Sequence, residues 1–433
     1  MTPTTAGIIG FLVLVILMFL RMPVGFVMAI VGILGFGQLV SWPAAFNLTA
    51  RDFFATFSAY NLTVIPLFVL MGQVAFHAGI SGRLFNAAHK FVGHLPGGLA
   101  MATIGACAAF SAICGSTSAT AATMASITLP EMKKYRYDPA LATGVVAAGG
   151  SLGILIPPST IFIVYGIMTE QSIGKLFMAG VLPGLLLTGL FMATILIWTR
   201  LQPQIGPRGP RTTAAEKLHS LAGLIETLLL FILVMGGLFV GIFTPTEAAA
   251  IGAFGTLLIA VIGRNLSWQG FLRALDDTTR ISCMIFVIVA GATVFGHFLA
   301  VTGIPSGIGE WVSGLHLHRM LIMALIIVVY IFLGCLMDSL AMIMLTIPVF
   351  FPVVTALGFD PVWFGVIIVL VAEMGVITPP VGINVYVVAG VARDVPLHVI
   401  FKGATHLLAA LVVTALLILA FPQIALYLPG LMK

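Results

Sequence analysis

The sequence predicts an all-α polytopic membrane protein, folded as an inverted-topology repeat with two re-entrant hairpins and two broken helices. Three observations lead there. Of 433 residues, 60% are apolar and only 8% are Asp, Glu, Lys or Arg, whereas a soluble chain carries about 25% charged residues. Apolar runs long enough to cross a membrane recur from end to end. One constant offset of 222 residues aligns the two halves.

The composition also excludes function classes. With 19 basic and 14 acidic side chains, the net charge of +5 reflects sparse charge, not a basic patch for nucleic acid. A mean hydropathy of +1.18 rules out a disordered regulator. Cys107, Cys114, Cys283 and Cys335 lie in apolar runs without a C-x-x-C pair, so they read as small buried residues and not as a disulfide framework. The first apolar run has no Lys or Arg before it and no small-residue cleavage pattern after it, which predicts a retained span and not a signal peptide.

About 20 apolar residues cross a hydrocarbon core of about 30 Å. Runs of that kind predict ten crossings, near 4–20, 24–40, 61–80, 140–168, 176–199, 221–242, 246–263, 281–302, 363–390 and 404–428. Two further stretches, 97–130 and 320–354, are too long for one span and are interrupted by CGSTS at 114–118 and GCLMDS at 334–339, so each predicts a re-entrant hairpin with two half-length arms. With the hairpins returning to the side they left, 15 of the 19 Lys and Arg residues fall in loops on one side, and Arg51, Lys175, Arg319 and Lys433 on the other. Short cytoplasmic loops collect basic residues. Both termini are therefore expected to lie outside the cytoplasm.

The offset pairs Pro23 with Pro245, Pro130 with Pro352, Asp138–Pro139 with Asp360–Pro361, Gly153 with Gly375, and Pro157–Pro158 with Pro379–Pro380. Five crossings and one hairpin per half force the second half upside down. The predicted organisation is a first repeat at 1–200 (hairpin 97–130, broken helix 140–168), a cytoplasmic linker at 201–222, and a second repeat at 223–433 (hairpin 320–354, broken helix 363–390). Inverted repeats with interrupted helices build midplane sites in many secondary transporters.

Breaks in a membrane helix are tolerated only where protein or a water-filled cavity receives the freed backbone groups. Carbonyls near Ser111 to Gly115 and Gly153 to Ile156 suit a small hard cation such as sodium, and Gly334 with Gly375 and Thr378 predict a second site. The opposing helix N-termini favour an anion. Ser116, Thr117 and Ser118 stand at one of them and Asp338 and Ser339 at the other, with Pro158 and Pro380 suited to first-turn positions. These groups are candidates for binding a carboxylate substrate, against the plainer reading of Ser and Thr bonded to their own helices. Among ionisable groups at membrane depth, Asp338 is read as tuning a cation site or capping a helix. Glu373 serves a cation site or makes a structural hydrogen bond, and His297 meets substrate or is a packed histidine. Glu247 is placed to cap a helix start.

No H-E-x-x-H, G-x-S-x-G or P-loop pattern is present, so no catalytic residue, enzyme activity or cofactor is expected. Energy must then come from an ion gradient, at about 2.3 kcal/mol per charge per 100 mV.

Taken together, CGSTSATAA, GILIPPS, GIFTPTEAAA and ITPPVGIN resemble the large membrane subunit of TRAP transporters, the tripartite ATP-independent periplasmic family, over essentially the whole chain. The resemblance implies a sodium-driven, elevator-type importer of organic acids in the bacterial cytoplasmic membrane. It would work with a small four-helix membrane subunit, here a separate chain, and a periplasmic binding protein. It carries the cation sites to Ser111, Gly153, Ile156 and Pro158, and to Gly334, Gly375, Thr378 and Val381. On this reading 97–168 and 320–390 form the moving transport unit and the remainder the scaffold. A stand-alone sodium and anion symporter, or a channel, remains the alternative at this point.

Overall fold

The computed structural model describes residues 2–20, 22–209, 212–308 and 317–432. Among these the secondary structure is entirely helical. Eight of the described helices are long and apolar enough to cross a membrane; seven lie on expected crossings and the eighth, Ser339–Ala356, is an arm of an expected hairpin. The other three expected crossings rest on shorter apolar helices, Pro3–Phe19, Val24–Leu39 and Pro361–Val376, of 17, 16 and 16 residues.

The 222-residue offset reappears in the backbone. Thr117–Lys134 and Ser339–Ala356 coincide at both ends under the shift. Pro139–Leu155 and Pro361–Val376 both open on a proline behind an aspartate cap. Asp138 accepts from Ala140 N at 2.8 Å and Asp360 from Val362 N at 2.8 Å. Proline at the first helical position loses nothing, because that N–H has no intrahelical partner.

Each expected hairpin is a pair of helices joined by a short break, but the arms are not half-length. Gly98–Cys114 and Thr117–Lys134 have 17 and 18 residues, and Arg319–Gly334 and Ser339–Ala356 have 16 and 18. The first helix runs through Pro130 to the basic pair Lys133 and Lys134, and the second through Pro348 and Pro352. Neighbouring helices can satisfy the carbonyls that such prolines free, which lets these helices run past them.

Helical structure also reaches beyond the apolar runs. Trp268–Thr302 is one helix of 35 residues, starting well before position 281. Its polar first turns carry an Arg280–Asp276 pair at 2.9 Å. Leu397–Ala420 and Gln423–Leu431 replace a single span over 404–428, with Pro422 at the joint. Trp42–Ser58 and Ile80–Val92 are amphipathic and were not read from the apolar runs. Arg51, Arg83, Lys90, Arg273 and Lys402 thus sit on helices and not in loops.

The linker is not loose. Gly97 N donates to Gly206 O and Gly209 N to Gly93 O, each at 2.9 Å, and Tyr137 Oη donates to Pro207 O at 2.9 Å. Ala214–Ser220 is a short helix closed by a capping box between Thr213 and Glu216. Cys107, Cys114 and Cys335 are buried as expected, whereas Cys283 is exposed. A helix that faces lipid is apolar on its outer side too, so an apolar run does not imply burial.

Packing sorts the helices. Trp268–Thr302 lies along Val24–Leu39 and Val64–His77, and the latter along Pro245–Ile262. Pro139–Leu155 packs on Thr117–Lys134, Gly98–Cys114 and Leu397–Ala420, while Ile383–Val391 crosses from the second half to touch Thr117–Lys134 and Pro139–Leu155.

Candidate functional site

Both broken helices fail for the same covalent reason. Proline has no N–H and clashes with the carbonyl four residues before it. Pro157 and Pro158 stand where N–H groups would have bonded Gly153 O and Ile154 O, and Pro379 and Pro380 stand likewise to Gly375 O and Val376 O. The helices stop at Leu155 and Val376 and resume at Thr160 and Ile383. The X–Pro bonds Pro157–Pro158 and Pro379–Pro380 are both cis. Pro158 and Pro380 therefore lie inside the breaks and not in the first turn expected for them. Ser159 caps the resumed helix in the first half, accepting from Phe162 N at 3.4 Å, and Gly382 at φ +60° precedes it in the second.

The first hairpin tip packs into the first break. Ser111 O accepts from Gly115 N, and Gly115 turns the chain at φ +63°. A Cβ on Gly115 would lie 2.7 Å from Pro158 O, and one on Gly153 would collide with Ser116 O. Only glycine permits this approach. Thr160 Oγ1 donates to Gly115 O at 3.1 Å. Ser111 Oγ is committed to Cys107 O at 2.6 Å, so the carbonyl side of Ser111 is what it offers. Ser111, Gly153 and Pro158 are thus brought around one tip. Ile156 ends the half-helix, its N–H on Leu152 O at 3.0 Å.

The second tip repeats the idea with different contacts. A Cβ on Gly375 would lie 2.5 Å from both Gly334 Cα and Gly334 O. Val381 N donates to Cys335 O at 3.2 Å, and Thr378 N donates to Gly375 O at 3.1 Å. Gly334, Gly375, Thr378 and Val381 therefore surround one junction.

The helix N-termini at the tips are capped as the residue types suggested. Ser116 Oγ accepts from Ala119 N at 3.4 Å. Asp338 Oδ2 accepts from Leu340 N at 3.0 Å and Ala341 N at 3.4 Å. Thr117 is the first residue of its helix and is buried, Ser118 is half-buried, and Ser339 is buried with no partner for its Oγ. Glu247 closes a capping box with Thr244, whose N–H donates to Glu247 Oε2 at 2.8 Å.

The two breaks differ in exposure. Ile156, Pro157, Pro158 and Ser159 are all buried, whereas Pro379, Pro380 and Asp338 are exposed. Asp338 is open to solvent at the tip of the second hairpin.

His297 is engaged elsewhere. Its Nε2 lies 3.1 Å from Oδ2 of Asp52, a buried residue on Trp42–Ser58, at ion-pair distance though off the line of a hydrogen bond. The histidine is held by that carboxylate and makes no described polar contact with either tip. One residue went unread in the sequence. Asn384, fully buried at the second turn-start, donates from Nδ2 to Ala147 O of the first broken helix at 3.2 Å and leaves Oδ1 without a partner. The signal was available as the lone amide in the apolar run that follows ITPPVG.

No grouping of three or more His, Cys, Asp or Glu side chains fit for a metal occurs among the described residues. An all-helical membrane bundle whose interrupted helices meet at glycine-lined tips has the build of a membrane transport permease. The family described as "Tripartite ATP-independent periplasmic transporter, DctM component" matches residues 11–424, and the chain belongs to it. The chain is 37% identical over 389 residues to the C4-dicarboxylate TRAP transporter large permease protein DctM of Pseudomonas aeruginosa, covering 90% of each. It is 35% identical over 421 residues to the sialic acid TRAP transporter large permease protein SiaM of Vibrio cholerae, covering 96% of each. Among solved structures, the Alcanivorax borkumensis YdaH transporter shares the fold with a TM-score of 0.63 at 16% identity, over 87% of this chain and 88% of that one. The protein is a multi-pass permease component of a tripartite transporter, not an enzyme.

Proposed function

We propose that the chain imports an organic acid across the bacterial cytoplasmic membrane, driven by sodium, by an elevator movement. The observation that carries this reading is the pair of breaks. In each half a Pro–Pro pair removes the two N–H groups that would have bonded carbonyls of the preceding turn, just where a hairpin tip packs in through a glycine. Carbonyl oxygens at the negative ends of helix dipoles suit sodium. What supports the fit is that Gly153 packs against Ser116 beside Ser111 in the first half and Gly375 packs against Gly334 in the second, with Ile156 and Thr378 in the adjoining breaks. The capped N-termini at Ser116 and Asp338, with Thr117, Ser118 and Ser339 beside them, lie on the same junctions and provide N–H and hydroxyl groups toward a carboxylate. His297 is not part of this reading.

Moving 97–168 with 320–390 as one body keeps this broken backbone out of lipid, where each unpaired group costs several kcal/mol. The remaining helices would stay fixed beside a small four-helix subunit, and a periplasmic binding protein would deliver substrate and do most of the selecting. Relatives named for C4-dicarboxylate and sialic acid transport support an organic acid as cargo. On this reading both termini and the Arg51 region would lie in the periplasm and the 201–222 linker in the cytoplasm. Uptake by proteoliposomes containing the chain and its small subunit, with the cognate binding protein and a panel of organic acids, tests the function. Accumulation above equilibrium under an inward sodium gradient is expected. Uptake that ignores sodium contradicts it.

A further inference from the structure

We infer that the carboxylate of Glu373 is a ligand of the cation at the second hairpin tip, so that the two cation sites are unequal and the second binds more tightly. This rests on the sodium reading above. Glu373 is fully buried in Pro361–Val376, two residues before Gly375, and neither of its carboxylate oxygens has a hydrogen-bond partner among the described residues. A buried carboxylate without a donor is costly, and such groups are paired or coordinate a metal. Ser339 Oγ, beside Asp338, is also buried and unpartnered. Carboxylate, hydroxyl and carbonyl oxygens are the ligand set of a small hard cation.

The repeat supplies an internal control. Glu373 stands where the first half has Ser151, and Asp338 stands where it has Ser116. Ser151 Oγ is satisfied by Ala148 O at 2.6 Å, and Ser116 caps its helix. Two hydroxyls of the first half are therefore two carboxylates in the second, while Gly153 and Gly375 each still pack against their own hairpin tip. Added ligand charge raises affinity for a hard cation.

Cys335, buried beside Gly334, is a reporter at this junction. In the full-length protein with Cys107, Cys114 and Cys283 replaced by Ala, alkylation of Cys335 is followed against sodium at constant ionic strength with choline, without substrate. Sodium is expected to slow labelling of this parent. Glu373→Gln should raise the half-protecting sodium concentration at least tenfold, with the labelling rate in choline unchanged, and Glu373→Asp should fall between. A Glu373→Gln midpoint within twofold of the parent overturns the assignment and leaves Glu373 a neutral buried acid. If the Gln variant is not monodisperse, Glu373→Asp decides, and a midpoint within twofold of the parent again overturns it. Absence of sodium protection in the parent removes the sodium reading itself, a distinct result.

Discussion

Gly375 and Gly334 touch, yet substituting them should not be equivalent. A Cβ built on Gly375 lies 2.5 Å from Gly334 Cα and O, whereas one built on Gly334 lies 3.3 Å from Gly375 Cα. Carbon atoms rest at about 3.5–4.0 Å. Gly375→Ala therefore pushes the hairpin tip from the break by about 1 to 1.5 Å, while Gly334→Ala needs only a few tenths of an ångström. Overpacking of this kind costs about 1–3 kcal/mol, and if that falls on the cation-bound geometry it corresponds to about 5- to 150-fold in sodium affinity. The assay is sodium-dependent uptake in proteoliposomes across a sodium titration. The half-saturating sodium concentration should rise into that range for Gly375→Ala and stay within about threefold for Gly334→Ala. Equal effects of the two substitutions, or an unshifted Gly375→Ala, would refute the proposed role of this contact.

Asn384→Ala removes the hydrogen bond to Ala147 O that ties the halves, and should lower thermal stability by about 0.5–1.5 kcal/mol. Asn384→Asp should cost more, since it sets an acceptor against that carbonyl, and thermal unfolding that ranks Asp above Ala would contradict this. Glu247 closes a capping box with Thr244, whose N–H donates to Glu247 Oε2 at 2.8 Å and whose Oγ1 donates to it at 2.9 Å. Glu247→Ala should therefore lower the melting temperature more than Glu247→Gln, which can still accept from Thr244 N. Equal losses for the two variants would count against the cap. Membrane-impermeant thiol labelling from outside should modify a cysteine at Arg51 and spare one at Arg208, and the reverse pattern would invert the topology.

The repeat and its breaks were legible because they rest on covalent chemistry. Pro157–Pro158 and Pro379–Pro380 remove N–H groups whatever surrounds them, and Gly153 and Gly375 declare close approaches by lacking a Cβ. Aspartate followed by proline, at Asp138 and Asp360, marked helix starts for the same kind of local reason. What depends on tertiary neighbours was not legible. The helices run on through Pro130, Pro348 and Pro352, and nothing local distinguishes a proline that ends a helix from one inside it. Hydropathy is blind to Trp42–Ser58, whose aromatic residues Phe46, Phe54 and Phe57 are exposed around a buried Asp52. The partner of His297 comes from that helix, some 245 positions earlier in the chain. Asn384 meets Ala147 across 237 positions, a pairing visible only once the halves are packed.

The movement of one helical unit against the other is tested most directly by tying them together reversibly. Met101 on Gly98–Cys114 and Leu224 on Ala222–Val240 line one cavity of about 240 Å³, so a cysteine at each position, in a background without Cys107, Cys114, Cys283 and Cys335, is within reach of a short reducible cross-linker. The measurement is sodium-driven uptake by the assembled complex before cross-linking, after it, and after reduction. Uptake should stop on cross-linking and return on reduction, with the complex intact throughout. Normal turnover by fully cross-linked protein would contradict the elevator account.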